Sequence, residues 1–264
     1  MTQTIQKEKI VRSLREAGVK PGDLLFLHSS LSSIGTVEGG ADTVIDAFLE
    51  VLGEEGTLAV SAMSSMSPFD AATAPVSVGI ISETLRRRPN AFRSLRPVHS
   101  VAAIGKKAKW FCEGHEACET NCGAGTPYLK LREAGGKIVL LGVDMNRNTT
   151  LHAVEDLMDS PYLEVREVDM PTYVADYKGK RMRIPKFPPG HRDFLRLSPC
   201  LRKKGALTEW MVGSAVLKVI DVAAMFEITE EILAQNPMFF LCENPSCAYC
   251  SRAREAYEQS AKEE

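Results

Sequence analysis

No stretch of this chain is apolar for the ~18 residues that a membrane-crossing helix needs. The first residues, MTQTIQKEKIVRSLREAG, carry charges of both signs and lack the apolar core of a secretory signal, so the cytoplasm is the expected location. An excess of one charge is missing too. Lys and Arg number 32 against 34 Asp and Glu, a formal net charge of −2, which gives no reason to expect nucleic acid or a membrane surface as partner. No Gly-x-Ser-x-Gly elbow occurs, so a Ser–His–Glu hydrolase lacks its strained nucleophile turn. Without a P-loop or a Gly-x-Gly-x-x-Gly fingerprint, ATP-driven and NAD-linked chemistry have no support. There are no internal repeats or low-complexity tracts.

What remains is an ordinary globular composition, 44% hydrophobic and 25% charged, over 264 residues, enough for a full core. Leu24–Leu27 is a short continuous apolar run, the mark of a strand buried on both faces. It is preceded by an amphipathic helix (Ile5, Ile10, Val11, Leu14) that stops at Gly18 and Pro21-Gly22. A helix over Ala41–Leu52 and a second strand at Thr57–Val60 follow, which starts an α/β sheet with crossover helices. The rhythm continues with a helix at Gly79–Arg88, a strand at Val101–Ile104, a helix at Pro127–Ala134, a strand at Lys137–Leu141 and a helix at Thr150–Asp159. After about residue 163 the texture changes. Leu163–Val168, Met170–Asp176 and Lys180–Ile184 alternate between turn residues and predict antiparallel strands. Ser214–Phe226 predicts a helix, Pro237–Leu241 a strand, and Ala248 onward a polar terminal helix. The expected fold class is α/β, a central mixed sheet flanked by helices with an antiparallel elaboration after residue 163, in one domain over 1–264.

Three clusters bear on chemistry. The first strand runs into His28-Ser29-Ser30-Leu31-Ser32-Ser33, a polar rim at the end of the sheet where α/β proteins bind ligands; such a turn also serves as a helix cap. Arg86, Arg87, Arg88, Arg93 and Arg96 place five arginines in eleven residues, suited to phosphate or, equally, to a solvated helix end. The sharpest cluster follows strand 137–141. Thr149 or Thr150 is a natural N-cap, and His152 and Glu155 then share one face of the first helical turns. A carboxylate beside an imidazole fixes its tautomer and stabilises the imidazolium formed when it takes a proton, as removal of a proton from an attacking amine requires.

Taken together, "VKPGDLLFLHSSLSSIG", "GGADTVIDAFLEVLGEEGTL", "PFDAATAPVSVGIISETLRRRPNAFRSLRPVHSVAAIG", "GAGTPYLKLREAGGKIVLLGV" and "NTTLHAVED" resemble the aminoglycoside 3-N-acetyltransferase family over nearly the whole length. The resemblance implies acetyl-CoA as donor, set against His28, Ser29, Ser30, Ser32, Thr73, Val76, Arg93, Ser94 and Thr149. It makes His152, supported by Glu155, the base for direct acetyl transfer to the 3-amino group of the antibiotic. The oxyanion would be held by N–H groups of the Ser-rich loop or of the Thr73–Val76 loop. Arg96 departs from the family, which usually has His after Arg-Ser-Leu, and "AVSAMSSM" stands where many members have a Met-Pro-Thr run. A polycationic acceptor calls for carboxylates; Asp70, Asp144, Asp156, Asp176 and Glu243 are the candidates. A different small amine is the alternative acceptor, since members of the family also acylate other amines. A noncatalytic CoA- or metal-binding scaffold is the contrasting reading, opposed by the intact His152 and Glu155. A homodimer is compatible with all of these.

Seven cysteines in a cytosolic chain point to metal or to packed thiols rather than disulfides. Cys242-x4-Cys247-x2-Cys250 has the spacing of a structural zinc site. In apramycin-acetylating relatives a similar cluster pairs with a His-containing segment; the matching "PPGHRDFLRLSPC" implies His191 as fourth ligand, with Cys200 second. Cys112, His115, Cys118 and Cys122 are also spaced like ligands, but ordinary loop residues are the expected reading there.

Overall fold

In the computed structural model, which describes residues 4–66, 69–163, 174–177, 180–183 and 190–263, the apolar run after Asp23 forms strand β1 (Leu24–Ser29) at the middle of the sheet. The first helix, α1 (Lys7–Glu16), packs beside α3 (Gly40–Leu52), and a single turn, α2 (Leu31–Ile34), follows β1. α3 crosses over to β2 (Thr57–Ser61), parallel to β1. Then come α4 (Ile80–Arg86), the short β3 (Phe92–Arg93), β4 (Val101–Gly105), α5 (Ala108–Cys112) and α6 (Pro127–Glu133). β5 (Lys137–Leu141) returns to the other side of β1, also parallel, and is followed by α7 (Leu151–Leu157). A separate antiparallel hairpin, β6 (Val174–Tyr177) with β7 (Lys180–Arg183), comes next. The chain closes with α8 (Leu197–Lys203), β8 (Leu207–Val212), β9 (Ala215–Asp221), α9 (Val222–Gln235) and α10 (Ala248–Glu263).

The main sheet has seven strands in the order β3-β4-β2-β1-β5-β9-β8, a parallel centre with antiparallel flanks. Alternate residues of each central strand face opposite layers. Leu25, Leu27, Leu58, Val60, Val139 and Leu141 pack under α1, α3 and α4. Leu24, Phe26, Ala59, Ile138 and Leu140 pack with Phe111, Leu131, Val154, Leu201 and Phe226 of the helices on the other face. Burial on both faces is why these strands read as unbroken apolar runs. Because β1 has β2 on one side and β5 on the other, the connections diverge at its carboxyl end and leave a crevice there.

Two expected elements are corrected. The helix expected over Ser214–Phe226 is β9 followed by α9, the boundary being set by Asp221, whose carboxylate accepts from the Ala224 N–H at 2.9 Å. Val216, Leu217, Val219 and Ile220 fit either period over so short a run, and pairing with β5 decides for the strand. The strand expected at Pro237–Leu241 is a turn: Asn236 accepts from Met238 through its side chain and from Phe239 through its carbonyl, so local Asn-Pro turn chemistry prevails. β8 escapes the alternation test because the middle of this edge strand is exposed. Of the strand expected at Leu163–Val168 only Leu163 is described, at the end of a short helical turn (Pro161–Leu163). The first part of that at Met170–Asp176 and the last residue of that at Lys180–Ile184 lie outside the described residues. No helix among the described residues is long and apolar enough to cross a membrane.

Candidate active site

The crevice at the carboxyl ends of β1, β2 and β5 holds a cavity of about 410 Å³. Its walls include His28 and Ser29 from β1, Ser61 from β2, Ser77 and Ser82 around the start of α4, and Asn146, Arg147, Asn148, Thr149 and His152 between β5 and α7. Ser29 also lines a second, more open cavity of about 580 Å³, together with Ser30, Ser32, Gly35, Gly40, Gly79 and Ile80. The two spaces therefore meet at one serine.

His152 is brought to the wall by a short helix whose start is set by Asn148. Thr150 occupies the expected N-cap position but its hydroxyl makes no capping bond; instead the Asn148 side chain accepts from the Thr150 N–H at 3.2 Å and fixes the turn that enters the helix. Within α7, His152 Nδ1 lies 2.7 Å from Glu155 Oε2. The other oxygen, Oε1, accepts from the Tyr162 hydroxyl at 2.8 Å and from Arg192 Nε at 3.0 Å. Glu155 is fully buried, which acts to raise its pKa, yet the His152 hydrogen bond and the Arg192 charge outweigh burial and hold the carboxyl below its usual range. An ionised carboxylate only accepts, so Nδ1 carries the proton and Nε2 is left as the basic nitrogen of a residue on the cavity wall. The ring is packed edgewise against His99 at 5.6 Å and Phe194 at 5.2 Å. His99 has φ 58°, a conformation that non-glycine residues adopt rarely and at a cost. Burial pushes His28 and His99 down to about 3, so both rings stay neutral.

The arginine cluster divides: Arg93 and Arg96 turn inward, Arg86 and Arg88 pair with carboxylates, and Arg87 is exposed. Arg93 donates to the carbonyls of Ala74 and Ala62 at 2.5 Å each, Arg86 pairs with Glu83, and Arg88 with Asp42 and Asp46. Ser94 is buried and hydrogen-bonded to the Val101 N–H and to His115. Arg93 and Ser94 thus shape the wall behind the 70–77 loop rather than line either cavity. Thr73 and Val76 line neither, and their N–H groups are taken by the Asp70 carbonyl and Glu83, which removes that loop from the oxyanion donors. Of the expected donor-site residues, His28, Ser29, Ser30, Ser32 and Thr149 do line the cavities.

Asp70, Asp144, Asp156 and Glu243, expected as acceptor carboxylates, line neither cavity. Asp70 caps its own turn through Ala72 and Thr73. Asp144 accepts from the Met145 N–H and pairs with Lys218 at 2.5 Å. Asp156 is half-buried, a burial that raises its pKa, and backs onto Gly123. Glu243 is exposed and pairs with Arg196; Asp176 falls in β6. Tyr162, Arg192, His99 and Arg147 carry no signal in the sequence that singles them out; only the glycines at 35, 40 and 79 mark the second cavity's walls.

The expected metal ligands converge. One ligand atom each from His191, Cys242, Cys247 and Cys250 lie within 4.8 Å of one another. Cys200 is not among them; its thiol faces the Arg196 carbonyl. Burial pushes the Cys250 thiol up to about 12, while the Cys250 N–H holds Cys247 below its usual range. A bound cation would supply the charge that stabilises the remaining thiolates.

The model of the family described as aminoglycoside 3-N-acetyltransferase matches residues 26–234. The chain belongs to this family. As a member of the aminoglycoside 3-N-acetyltransferase family it is an enzyme of the acyltransferase class. It is 31% identical to aminoglycoside N(3)-acetyltransferase IV of a Salmonella species over 242 residues, 89% of this chain and 90% of that enzyme. The type III enzyme of Enterobacter cloacae is 34% identical over 187 residues, 62% of this chain and 65% of that enzyme. Among solved structures, a His-to-Ala mutant of AAC(3)-IVa in complex with a gentamicin superposes with a TM-score of 0.88 at 29% identity, covering 97% of this chain and 99% of its own. AAC-IIIb, solved as a binary complex with CoASH, shares the fold with a TM-score of 0.76 at 24% identity, over 88% of this chain and 97% of its own.

Proposed function

We propose that this enzyme transfers the acetyl group of acetyl-CoA to the 3-amino group of an aminoglycoside, with His152 as general base. The observation that carries the reading is the His152–Glu155 pair, its carboxylate fully buried and its imidazole on the cavity wall at the carboxyl end of the sheet. In the reaction the amine nitrogen attacks the thioester carbonyl and its proton passes to His152 Nε2. The tetrahedral intermediate then collapses, the C–S bond breaks, and the sulfur leaves with a proton as CoA thiol. Glu155 keeps the ring oriented and stabilises the imidazolium. The second cavity is the proposed entry for the pantetheine arm, with Ser29 at the junction and Ser30 and Ser32 as hydroxyl donors and acceptors along it.

Cys242, Cys247, Cys250 and His191 fit a structural zinc ion, since three sulfurs and one imidazole are a familiar tetrahedral set and their atoms already converge. When bound, the ion supplies charge and a crosslink between α10 and the segment before α8.

The aminoglycoside acceptor is supported by the family and by the gentamicin and apramycin complexes of AAC(3)-IVa. One observation favours a second reading: Arg147 on the first cavity's wall suits an amine of lower charge. CoA release from acetyl-CoA, measured against a panel of aminoglycosides and simpler amines, separates the two. His152→Ala is expected to lower kcat/KM by about 10²–10⁴-fold, the usual worth of a general base. Unchanged turnover in that variant overturns the assignment of the base.

A further inference from the structure

Two short paths join the Cys/His quartet to the catalytic pair. His191 is followed at once by Arg192, whose Nε donates to Glu155 Oε1 at 3.0 Å. On α10, Cys250 is preceded by Tyr249, whose hydroxyl donates to the Tyr162 carbonyl at 2.9 Å. Tyr162 gives its own hydroxyl to the same Glu155 oxygen at 2.8 Å. The Arg192 guanidinium lies over both rings, 5.0 Å from Tyr162 and 5.1 Å from Tyr249. Gly190 permits this approach, because a Cβ there would collide with the Tyr249 ring and the guanidinium. Both donors to Oε1 are therefore one residue, or one residue and one hydrogen bond, away from a candidate ligand.

We propose that the metal quartet aims the catalytic carboxylate, with Arg192 and Tyr162 as positioning residues that transmit the crosslink to Glu155 and so to His152. A carboxylate buried away from solvent is oriented by its protein donors. Two donors on Oε1 fix its rotation and present Oε2 to Nδ1. Without the cation the crosslink between the four converging ligand atoms is lost, and separation of α10 from residues 190–192 carries Arg192 and Tyr249 with it. Neither Arg192 nor the quartet lines either of the two cavities, so the effect falls on kcat and leaves the acceptor KM in place. This inference rests on the acetyltransferase reading.

The test uses zinc-loaded protein and two readouts. One is the low-field proton resonance of the His152 Nδ1–H, identified by its loss in His152→Gln and independent of turnover. The other is kcat and KM from CoA release. Chelating the zinc is expected to abolish or broaden the resonance and to lower kcat about tenfold or more, with KM changed less than about threefold. Arg192→Met is expected to do the same, with partial recovery in Arg192→Lys. In Arg192→Met, zinc removal should cost less than about a further twofold, since the path is already cut. Three results overturn the proposal: protein that holds no zinc and ignores added zinc, a resonance and kcat that survive chelation, or an equal loss on chelation in Arg192→Met and the parent. If Arg192→Met fails to fold, the same comparison is made with Tyr162→Phe, which deletes only the other donor. A zinc-sensitive resonance without acetylation of any amine overturns the enzymatic reading and leaves the coupling intact. Acetylation with a zinc-insensitive resonance does the reverse.

Discussion

Residues 112–122 and the set of His191 with Cys242, Cys247 and Cys250 both gather thiols and an imidazole at ligand-like spacing, and the fold treats them in opposite ways. His115 is buried with both nitrogens in use: Nε2 lies 2.9 Å from the Asn121 carbonyl and Nδ1 3.1 Å from the Ser94 hydroxyl. Arg96 reaches into the same loop, donating to Asn121 Oδ1 at 2.6 Å and to the carbonyls of His115 and Cys118. A buried guanidinium already supplies the cation there, and a metal ion beside it would be repelled. In the other region the four ligand atoms point at one another. The sequence spacing is similar in kind; what differs is whether the donor atoms are already committed.

The largest expected effect comes from breaking the second region. Cys242→Ser should reduce bound zinc from about one per chain to none and lower Tm by roughly 10 °C, a few kcal/mol in a chain of this size. Metal analysis and calorimetry on the same sample check this. Full zinc occupancy in that variant would remove the contrast between the regions.

His115→Ala sharpens the other side of the comparison. It strips partners from Ser94 and Asn121 and opens a cavity, so stability should fall by about 3 kcal/mol with zinc content unchanged. Acid should act through the same histidine. Burial pushes His115, like His28 and His99, down to about 3, whereas the unfolded chain binds these protons below about pH 6.5. The unfolded state then holds more protons between about pH 6.5 and 3, and stability declines as pH falls through that window. The slope is about 1.4 kcal/mol per pH unit for each histidine. Glu155, held below its usual range, adds to the loss only at lower pH. Urea denaturation at pH 7 and pH 5 measures the slope, and His115→Ala should remove about a third of it. A flat profile would mean that these rings are not held neutral.

The central half of the fold was legible because its strands are buried on both faces and its helices are amphipathic, so β1, β2, β4 and β5 and their helices fall where the pattern puts them. The edge was not. β8 exposes its middle, and β9 carries apolar residues that fit two periods until β5 pairs with it. In the site, His152 and Glu155 were legible as a spacing on one helix, and the quartet as a thiol motif completed by resemblance. Arg192 and Tyr162 were not, since their role comes from contacts 37 and 7 residues away from Glu155 along the chain. The arginines of 86–96 were open to two readings for a related reason. Bidentate donors suited to phosphate suit backbone carbonyls equally well, and burial decides between them.

The smallest expected effect is at Cys118, and it discriminates because the residue has the right spacing and the wrong surroundings. Its carbonyl, not its sulfur, serves Arg96 at 2.7 Å, and the thiol makes only a weak contact with the Gly114 carbonyl at 3.4 Å. Burial raises the thiol pKa, ahead of the opposing pull of Arg96, so little thiolate forms at neutral pH. Cys118→Ser keeps the backbone carbonyl and replaces a half-exposed thiol by a hydroxyl of similar size. Stability should therefore change by less than about 0.5 kcal/mol, with zinc content and kcat unaltered. A loss of zinc in Cys118→Ser would show that the 112–122 loop binds metal despite its hydrogen bonds, and that committed donor atoms are not what separates the two regions.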